Sequence, residues 1–207
     1  MIIHAISDLH GYKPPLDGGD LLIIAGDLTA RDTLKEYAEF TNWLLKLPYR
    51  NKVVIGGNHD NLLEKGSFAI EGEGVHYLCD SGVEIEGLKL WGSPFTARFT
   101  GQNPDCVAFS VKSDFQLRDH FDLIPKDLDI LVTHSPPYWI LDGCPNGMVG
   151  SQELYKAISR AKPKVCFFGH IHEQGGKTLE VQGIIFANCS HVDAFYRPAH
   201  KPLIFEL

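Results

Sequence analysis

Five short apolar runs recur along the chain, each closed abruptly by polar residues: Ile2 to Ile6, Leu21 to Ala25, Lys52 to Ile55, Asp129 to Val132 and Lys164 to Phe168. Their lengths and their Ile, Val and Leu content predict buried strands of a parallel sheet covered on both faces. Between them the spacing becomes helical. Thr33-Leu34-Lys35-Glu36 has the form of a capping box, and Leu34, Tyr37, Ala38, Thr41, Leu44 and Leu45 make a stripe that Pro48 ends. Ser151 predicts the cap of a second helix with Leu154, Ala157, Ile158 and Ala161 on one face, stopped before Pro163. A third helix is predicted from Ser113 towards Phe121. Two stretches alternate around a glycine, Val83 to Trp91 about Gly87 and Thr178 to Phe186 about Gly183, and predict antiparallel pairs. Pro202 to Leu207 predicts a closing strand.

Strand, helix, strand units mixed with hairpins predict an α/β domain with mixed sheets. At 207 residues the chain can bury a full core as a single domain, residues 1 to 207, and it shows no internal repeat, low-complexity stretch or linker. Two long loops rich in Gly and Pro, Phe95 to Cys106 and Pro136 to Gly150, are of a length often given over to function.

Composition narrows the classes. Hydrophobic content of 44% and charged content of 22% are ordinary for a globular domain. The five cysteines form no CxxC pair and are odd in number, which argues against a disulfide framework or a thiolate metal cage and for a reducing compartment. The opening MIIHAISD is too short an apolar run for a secretory signal, and no stretch reaches the length of a membrane span, so a cytoplasmic location without membrane attachment is expected. With a formal net charge of -7 and no basic run, duplex nucleic acid is not an expected partner.

Ten histidines is a high count for this length, and they are not evenly spread. His170 and His172 lie one residue apart where an apolar run ends. If extended geometry persists through Ile171, both rings face one spot. The other buried runs end alike: Asp8 and His10 in SDLHG, Asp27 in GDL, Asn58, His59 and Asp60 in GGNHD, and His134 in THSPP. Each has a plainer reading alone. Asp8 can cap a turn, Asp27 can brace one, Asn58 can take a left-handed conformation, and a lone His134 can simply be hydrogen-bonded. Their recurrence at the same end of successive strands is what points to a shared site, because ligands of parallel α/β sheets sit beyond the strands' carboxyl ends. Two aspartates, one asparagine and four histidines form an oxygen and nitrogen donor set suited to Mn, Fe, Zn, Co or Ni. That set exceeds the needs of one ion and suffices for two sharing a carboxylate.

In order, D-x-H, G-D, G-N-H-[DE], a later H, and G-H-x-H, these residues resemble the pattern of calcineurin-like metallophosphoesterases. The flanking text GDLLIIAGDLT, NWLLKLPY, GLKLWGSPF, IPKDLDILVTHSPP and PLIFEL is similar to the metallophosphoesterase-domain-containing subgroup. The resemblance implies a four-layer sandwich, with two central mixed sheets flanked by helices. It further implies that Asp8, His10 and His172 bind one metal, that Asn58, His134 and His170 bind a second, and that Asp27 bridges them. His59, with Asn58, faces the substrate, and Asp60 orients the His59 ring. Some vertebrate members of the subgroup carry glycine at the position of His170 and GNHE in place of GNHD; here the ligand set is complete.

The function so implied is a dinuclear phosphodiesterase, with manganese the first choice of metal. It acts on small phosphodiesters or nucleotides, cyclic nucleotides among them, through a hydroxide shared by the two ions. A phosphomonoesterase or protein phosphatase is the rival. It draws on Arg31, four residues after Asp27, although the text TARDT is not the V-D-R-G of the Ser/Thr phosphatases and reads rather as a surface arginine near a helix start. A non-catalytic scaffold of the same architecture is the third reading, weakened because such proteins lose a metal-binding histidine. His4 reads as structural, as does His191, and His76, His120 and His200 as solvated or locally bonded. Phe99, Tyr138 and Trp139 lie in the long loops, where an aromatic can stack on a nucleobase, although covering the core is the commoner job of such residues. The sequence leaves the oligomeric state open.

Overall fold

The computed structural model describes residues 1–98 and 103–207. From the N-terminus, β1 (Ile2–Ile6) and β2 (Gly19–Ala25) run parallel, α1 (Leu34–Lys46) crosses over, and β3 (Tyr49–Ile55) adds to β2 in the same direction. After α2 (Asn61–Glu64), β4 (Val75–Tyr77) joins the edge of β3. A second sheet starts with the antiparallel pair β5 (Ser81–Ile85) and β6 (Leu88–Ser93). The short ribbon of β7 (Thr96–Ala97) and β8 (Ser110–Val111) precedes a 3-10 turn, Asp114–Leu117, and α3 (Arg118–Phe121). Next come β9 (Ile130–Thr133), parallel to β6, and a small hairpin of β10 (Gly143–Cys144) and β11 (Gly147–Met148). α4 (Gln152–Ala161) leads into β12 (Val165–Phe168), parallel to β9. β13 (Lys177–Val181) and β14 (Ile184–Asn188) form a hairpin, and β15 (Leu203–Glu206) returns antiparallel to β1. The two main sheets have the orders β15-β1-β2-β3-β4 and β13-β14-β12-β9-β6-β5.

Strand side chains alternate between faces, and that parity builds the layers. Ile3, Ala5, Leu21, Ile23, Val53 and Ile55 of the first sheet meet Leu90, Ile130, Val132, Val165 and Phe167 of the second in one central core. The opposite parity of the first sheet, Leu22, Ile24 and Val54, packs under Tyr37, Phe40 and Leu44 of α1. The opposite parity of the second, Leu131, Cys166, Phe168 and Phe186, packs under Leu154, Ala157, Ile158 and Ala161 of α4, with Leu117 and Phe121 beside them. The architecture is the expected four-layer sandwich. Each fully buried Phe, Leu or Ile contributes about 1.5–3 kcal/mol relative to exposure.

Both predicted caps are present. Thr33 Oγ1 accepts from Glu36 N at 3.3 Å while the Glu36 carboxylate accepts from Thr33 N at 3.3 Å, and Ser151 Oγ accepts from Leu154 N at 3.0 Å. The buried stripe of α1 differs from the pattern. Leu34 and Leu45 stand 56% and 43% exposed and Ala38 is exposed, whereas Phe40 is buried. The sheet lies under the Tyr37, Phe40 and Leu44 line, and only tertiary placement selects that face. The third helix is split into the 3-10 turn and α3, and β4 carries no periodic signal that could have predicted it. No helix among the described residues is long and apolar enough to cross a membrane.

Candidate metal centre

The parallel strands of both sheets end on one side of the sandwich, where a bridge between Ser7 and Ser190 joins sheet to sheet. Asp8 and His10 leave β1, Asp27 leaves β2, and Asn58, His59 and Asp60 leave β3. His134 follows β9, and His170 and His172 follow β12. Their polar atoms converge. His10 Nε2 lies 3.3 Å from His172 Nε2, which lies 3.4 Å from Asp8 Oδ1. His134 Nε2 lies 2.9 Å from Asn58 Oδ1 and 3.4 Å from Asp27 Oδ1, and His10 Nε2 is 3.7 Å from Asp27 Oδ2. The ring of His170 sits 5.0 Å, centroid to centroid, from that of His134.

Three sets of possible ligand atoms lie within 4.8 Å of one another: Asp8, His10 and His172; His10, Asp27 and His59; and Asp8, Asp27 and His134. Asp8, His10 and Asp27 each belong to two of the sets. The second set also places His59 among possible ligands, a role the sequence pattern does not give it.

The backbone there is strained. Asp8, His10, Asp27 and His170 all have left-handed φ, 51°, 41°, 55° and 67°. Such conformations cost non-glycine residues on the order of 1–3 kcal/mol and persist where surrounding structure over-determines them. Gly26 also has positive φ, and a Cβ there would stand 2.6 Å from Gly56 O and from His134 Nδ1, so only glycine lets β2 pass this close to β3 and the ring.

The electrostatics describe a donor set in want of positive charge. Burial alone would raise Asp8, yet the hydrogen bond and charge of His172 and the charge of His134 hold it below the usual carboxylate range. Asp27 is likewise lowered, burial being outweighed chiefly by the charges of His134 and His59. Burial would lower His134, but the charge and hydrogen bond of Asp27, with the charge of Asp8, lift it to about 9. Burial pushes His10 down to about 4 despite Asp27 and Asp8, and burial with the charge of His134 takes His170 to about 3. Ionised aspartates, His10 and His170 held neutral by burial, and His134 and His172 raised by those aspartates form an oxygen and nitrogen donor set that fits divalent cations of the Mn, Fe, Zn, Co and Ni group, with no thiolate required.

A second layer orients these groups, as metal sites require. His134 Nδ1 donates to Ala25 O at 3.0 Å, which turns Nε2 to the centre. Asp8 accepts from Ser190 Oγ at 2.5 Å and from His170 N at 3.1 and 3.0 Å, and Asp27 Oδ1 accepts from His59 N at 2.9 Å.

Two expectations are corrected. The Asp60 carboxylate is not turned to the His59 ring; it accepts from Gly57 N at 2.8 Å, Leu28 N at 3.2 Å and the Tyr37 hydroxyl at 3.0 Å. It staples the β2 and β3 turns together, and the His59 Nδ1 contact is Cys106 Sγ at 3.3 Å. His170 and His172 do not share a face of an extended strand either. β12 ends at Phe168, His170 turns left-handed and His172 opens a 3-10 turn, so one ring goes to His134 and the other to Asp8 and His10.

A cleft of about 660 Å³ opens over the cluster, lined by Asn58, His59, His170 and His172 and by Thr96, Arg98, Asp114, Glu173 and Tyr196 among others. Tyr138, Trp139 and Arg31 are not among its lining residues, and Phe99 lies outside the described residues. Trp139 is 64% exposed. His191 is structural, its Nδ1 donating to His200 O at 2.8 Å, and His4 Nδ1 pairs with the Tyr49 hydroxyl at 2.6 Å. His120 pairs with Asp80 at 2.6 Å, the His200 ring lies against Gly175 and Gly176, and His76 is half-buried in β4.

Ser190, Cys106, Arg98 and Tyr196 carry no motif. A signal existed for Ser190 alone: β14 pairs in parallel with β12, so its end reaches the same edge, whereas the pattern predicted only its antiparallel hairpin.

The chain belongs to the calcineurin-like phosphoesterase family, whose model matches residues 1–174. The fold and the cluster thus define a metal-dependent phosphoester hydrolase. Among curated relatives, it is 32% identical over 232 residues to metallophosphoesterase domain-containing protein 1 of Homo sapiens, covering 98% of this chain and 69% of that protein. A UPF0046 protein of Caenorhabditis elegans is 30% identical over 222 residues, covering 96% and 76%. Among solved structures, a Thermus thermophilus protein superposes with a TM-score of 0.62 at 17% identity, over 93% of this chain and 89% of that one. A phosphopantetheinyl hydrolase of Mycobacterium tuberculosis gives 0.60 at 16% identity, over 94% and 90%. At those identities the structural likeness concerns the fold.

Proposed function

We propose that this protein is a dinuclear phosphodiesterase acting on small, singly charged phosphodiesters such as cyclic nucleotides, with manganese as its working metal. The charge of the cleft carries this reading. Among the described lining residues Arg98 is the one Lys or Arg, and Asp27, Asp114 and Glu173 are acidic. A phosphomonoester carries about −1.5 to −2 at neutral pH and a diester only one charge, so a cation-poor cleft favours the diester. Its volume, about 660 Å³, suits a ligand the size of a nucleotide.

In this reading Asp8, His10 and His172 hold one cation, Asn58, His134 and His170 hold the other, and Asp27 is shared. Bound there, a pair of divalent ions supplies Lewis-acid polarisation of the phosphoryl oxygen and lowers the pKa of water from about 15.7 towards 7. The chain's own residues do the rest. Asn58 and His59 line the cleft. Burial and the charge of Asp27 push the Cys106 thiol up to about 11, so it stays an uncharged S–H, with its sulfur 3.3 Å from His59 Nδ1. In its imidazolium form His59 gives the Nε2 proton to the departing alkoxide and is left as neutral imidazole, help worth roughly 10²–10⁴ in rate. Asp60, fully buried between the β2 and β3 turns, fixes where Asp27 and His59 stand.

The test is direct: turnover of bis(p-nitrophenyl) phosphate against p-nitrophenyl phosphate by the manganese-loaded protein. A preference for the diester is expected, and a strong preference for the monoester overturns the reading.

A further inference from the structure

The segment Asp193 to Arg197 belongs to no motif, yet it is built to hold one side chain over the centre. Asp193 N donates to Arg197 O at 2.9 Å, and the Asp193 carboxylate accepts from Phe195 N at 2.9 Å, Arg197 N at 3.0 Å and the Arg197 guanidinium at 2.9 and 2.6 Å. Tyr12 Oη donates to Tyr196 O at 3.3 Å. The turn so braced keeps Tyr196 at φ 60°, a conformation costly for a bulky aromatic. Its two aromatics part company. Phe195 is 75% exposed with the Arg197 guanidinium 4.9 Å from its ring centre, while Tyr196 turns inward.

The Tyr196 ring meets the imidazoles of His10, His172 and His59 at centroid distances of 4.7, 5.0 and 6.3 Å. Three rings back it, so it cannot tip further in. Yet Tyr196 is 49% exposed and lines the cleft, which leaves aromatic surface presented to whatever enters. A side chain that only covered the histidines would not need strained backbone and would not leave half its surface open.

We propose that Tyr196 is a specificity-determining residue: the surface on which a flat ester group of the substrate, an aryl ring or a nucleobase, rests while its phosphoryl group reaches the cluster below. The inference rests on the phosphodiesterase reading and adds the chemical class of the second ester group. Aromatic side chains serve as such platforms because every aryl ring or base offers a π face.

The experiment compares bis(p-nitrophenyl) phosphate with methyl p-nitrophenyl phosphate, which share a leaving group and differ in having an aryl or a methyl second group. Wild type, Tyr196→Phe, Tyr196→Leu and Tyr196→Ala are loaded with manganese and assayed for kcat/KM, with metal content and unfolding temperature read on the same samples. Wild type and Tyr196→Phe are expected to share one aryl-to-methyl ratio, and Tyr196→Leu and Tyr196→Ala to lower that ratio by about three- to tenfold. Calorimetric affinities for diphenyl against dimethyl phosphate should follow the same order without depending on turnover. If Tyr196→Ala fails to fold, Tyr196→Leu carries the comparison. A ratio unchanged from wild type in the folded aliphatic variants, or lowered in Tyr196→Phe as far as in them, overturns the assignment. A wild-type protein that cleaves p-nitrophenyl phosphate and neither diester is a different failure: it removes the phosphodiesterase reading itself.

Discussion

Asp27 and Tyr196 line the same cleft and are held there by different means. Asp27 leaves β2 between neighbouring strands, is buried, and sits among side chains from both sheets. Tyr196 is half exposed on a turn whose rigidity comes from its own Asp193 and Arg197 bonds. The floor of the site is therefore part of the folding core, and moving it would disturb two sheets. The rim is a local device that can change without consulting the core. On the proposed reading, chemistry is fixed at the first place and selectivity is adjustable at the second.

That contrast can be broken from the floor outward. The largest effect is expected from Asp27→Ala, which removes the carboxylate we propose the two ions share. Metal content should fall below one ion per chain and turnover by at least roughly 10³-fold; two ions per chain with activity kept would place the sharing elsewhere. Next is His59→Ala, with turnover of an unactivated diester lowered by about 10²–10⁴ while metal content stays at the wild-type level. Unchanged turnover would take His59 out of the reaction. Ser190→Ala, one layer further out, loses the hydroxyl that bonds Asp8 and should weaken metal affinity by about 10–100-fold, read as a shifted manganese dependence. Outside the site altogether, Thr33→Ala removes the α1 cap. It should cost about 1 kcal/mol and lower Tm by roughly 2–4 °C, with kcat/KM unaffected; a change in kcat/KM would show that α1 communicates with the centre.

The floor was legible because strand ends leave a mark in sequence. Apolar runs stop at Asp8, Asp27, Asn58, His134 and His170, and a parallel sheet brings such stops to one edge. Details of aim were not legible. The His170 and His172 pair was expected to act as one because alternation was carried past the end of β12, where a left-handed residue resets it. Asp60 was assigned to its neighbour His59, but adjacent residues in a turn diverge, and its carboxylate found the buried N–H groups of Gly57 and Leu28. Cys106 lies 47 positions from His59, and Tyr196 lies 24, 137 and 186 positions from His172, His59 and His10, separations at which loop residues carry no periodic signal.

By itself the sequence determined the α/β class, the caps of α1 and α4, and the residues that gather at the centre, because each follows from local spacing and from the direction of parallel strands. Only the tertiary structure decided which face of α1 is buried, which ring meets which carboxylate, and which aromatic stands in the cleft. Those outcomes depend on contacts between segments far apart in the chain, where packing and buried hydrogen-bond demand, rather than pattern, select the partner.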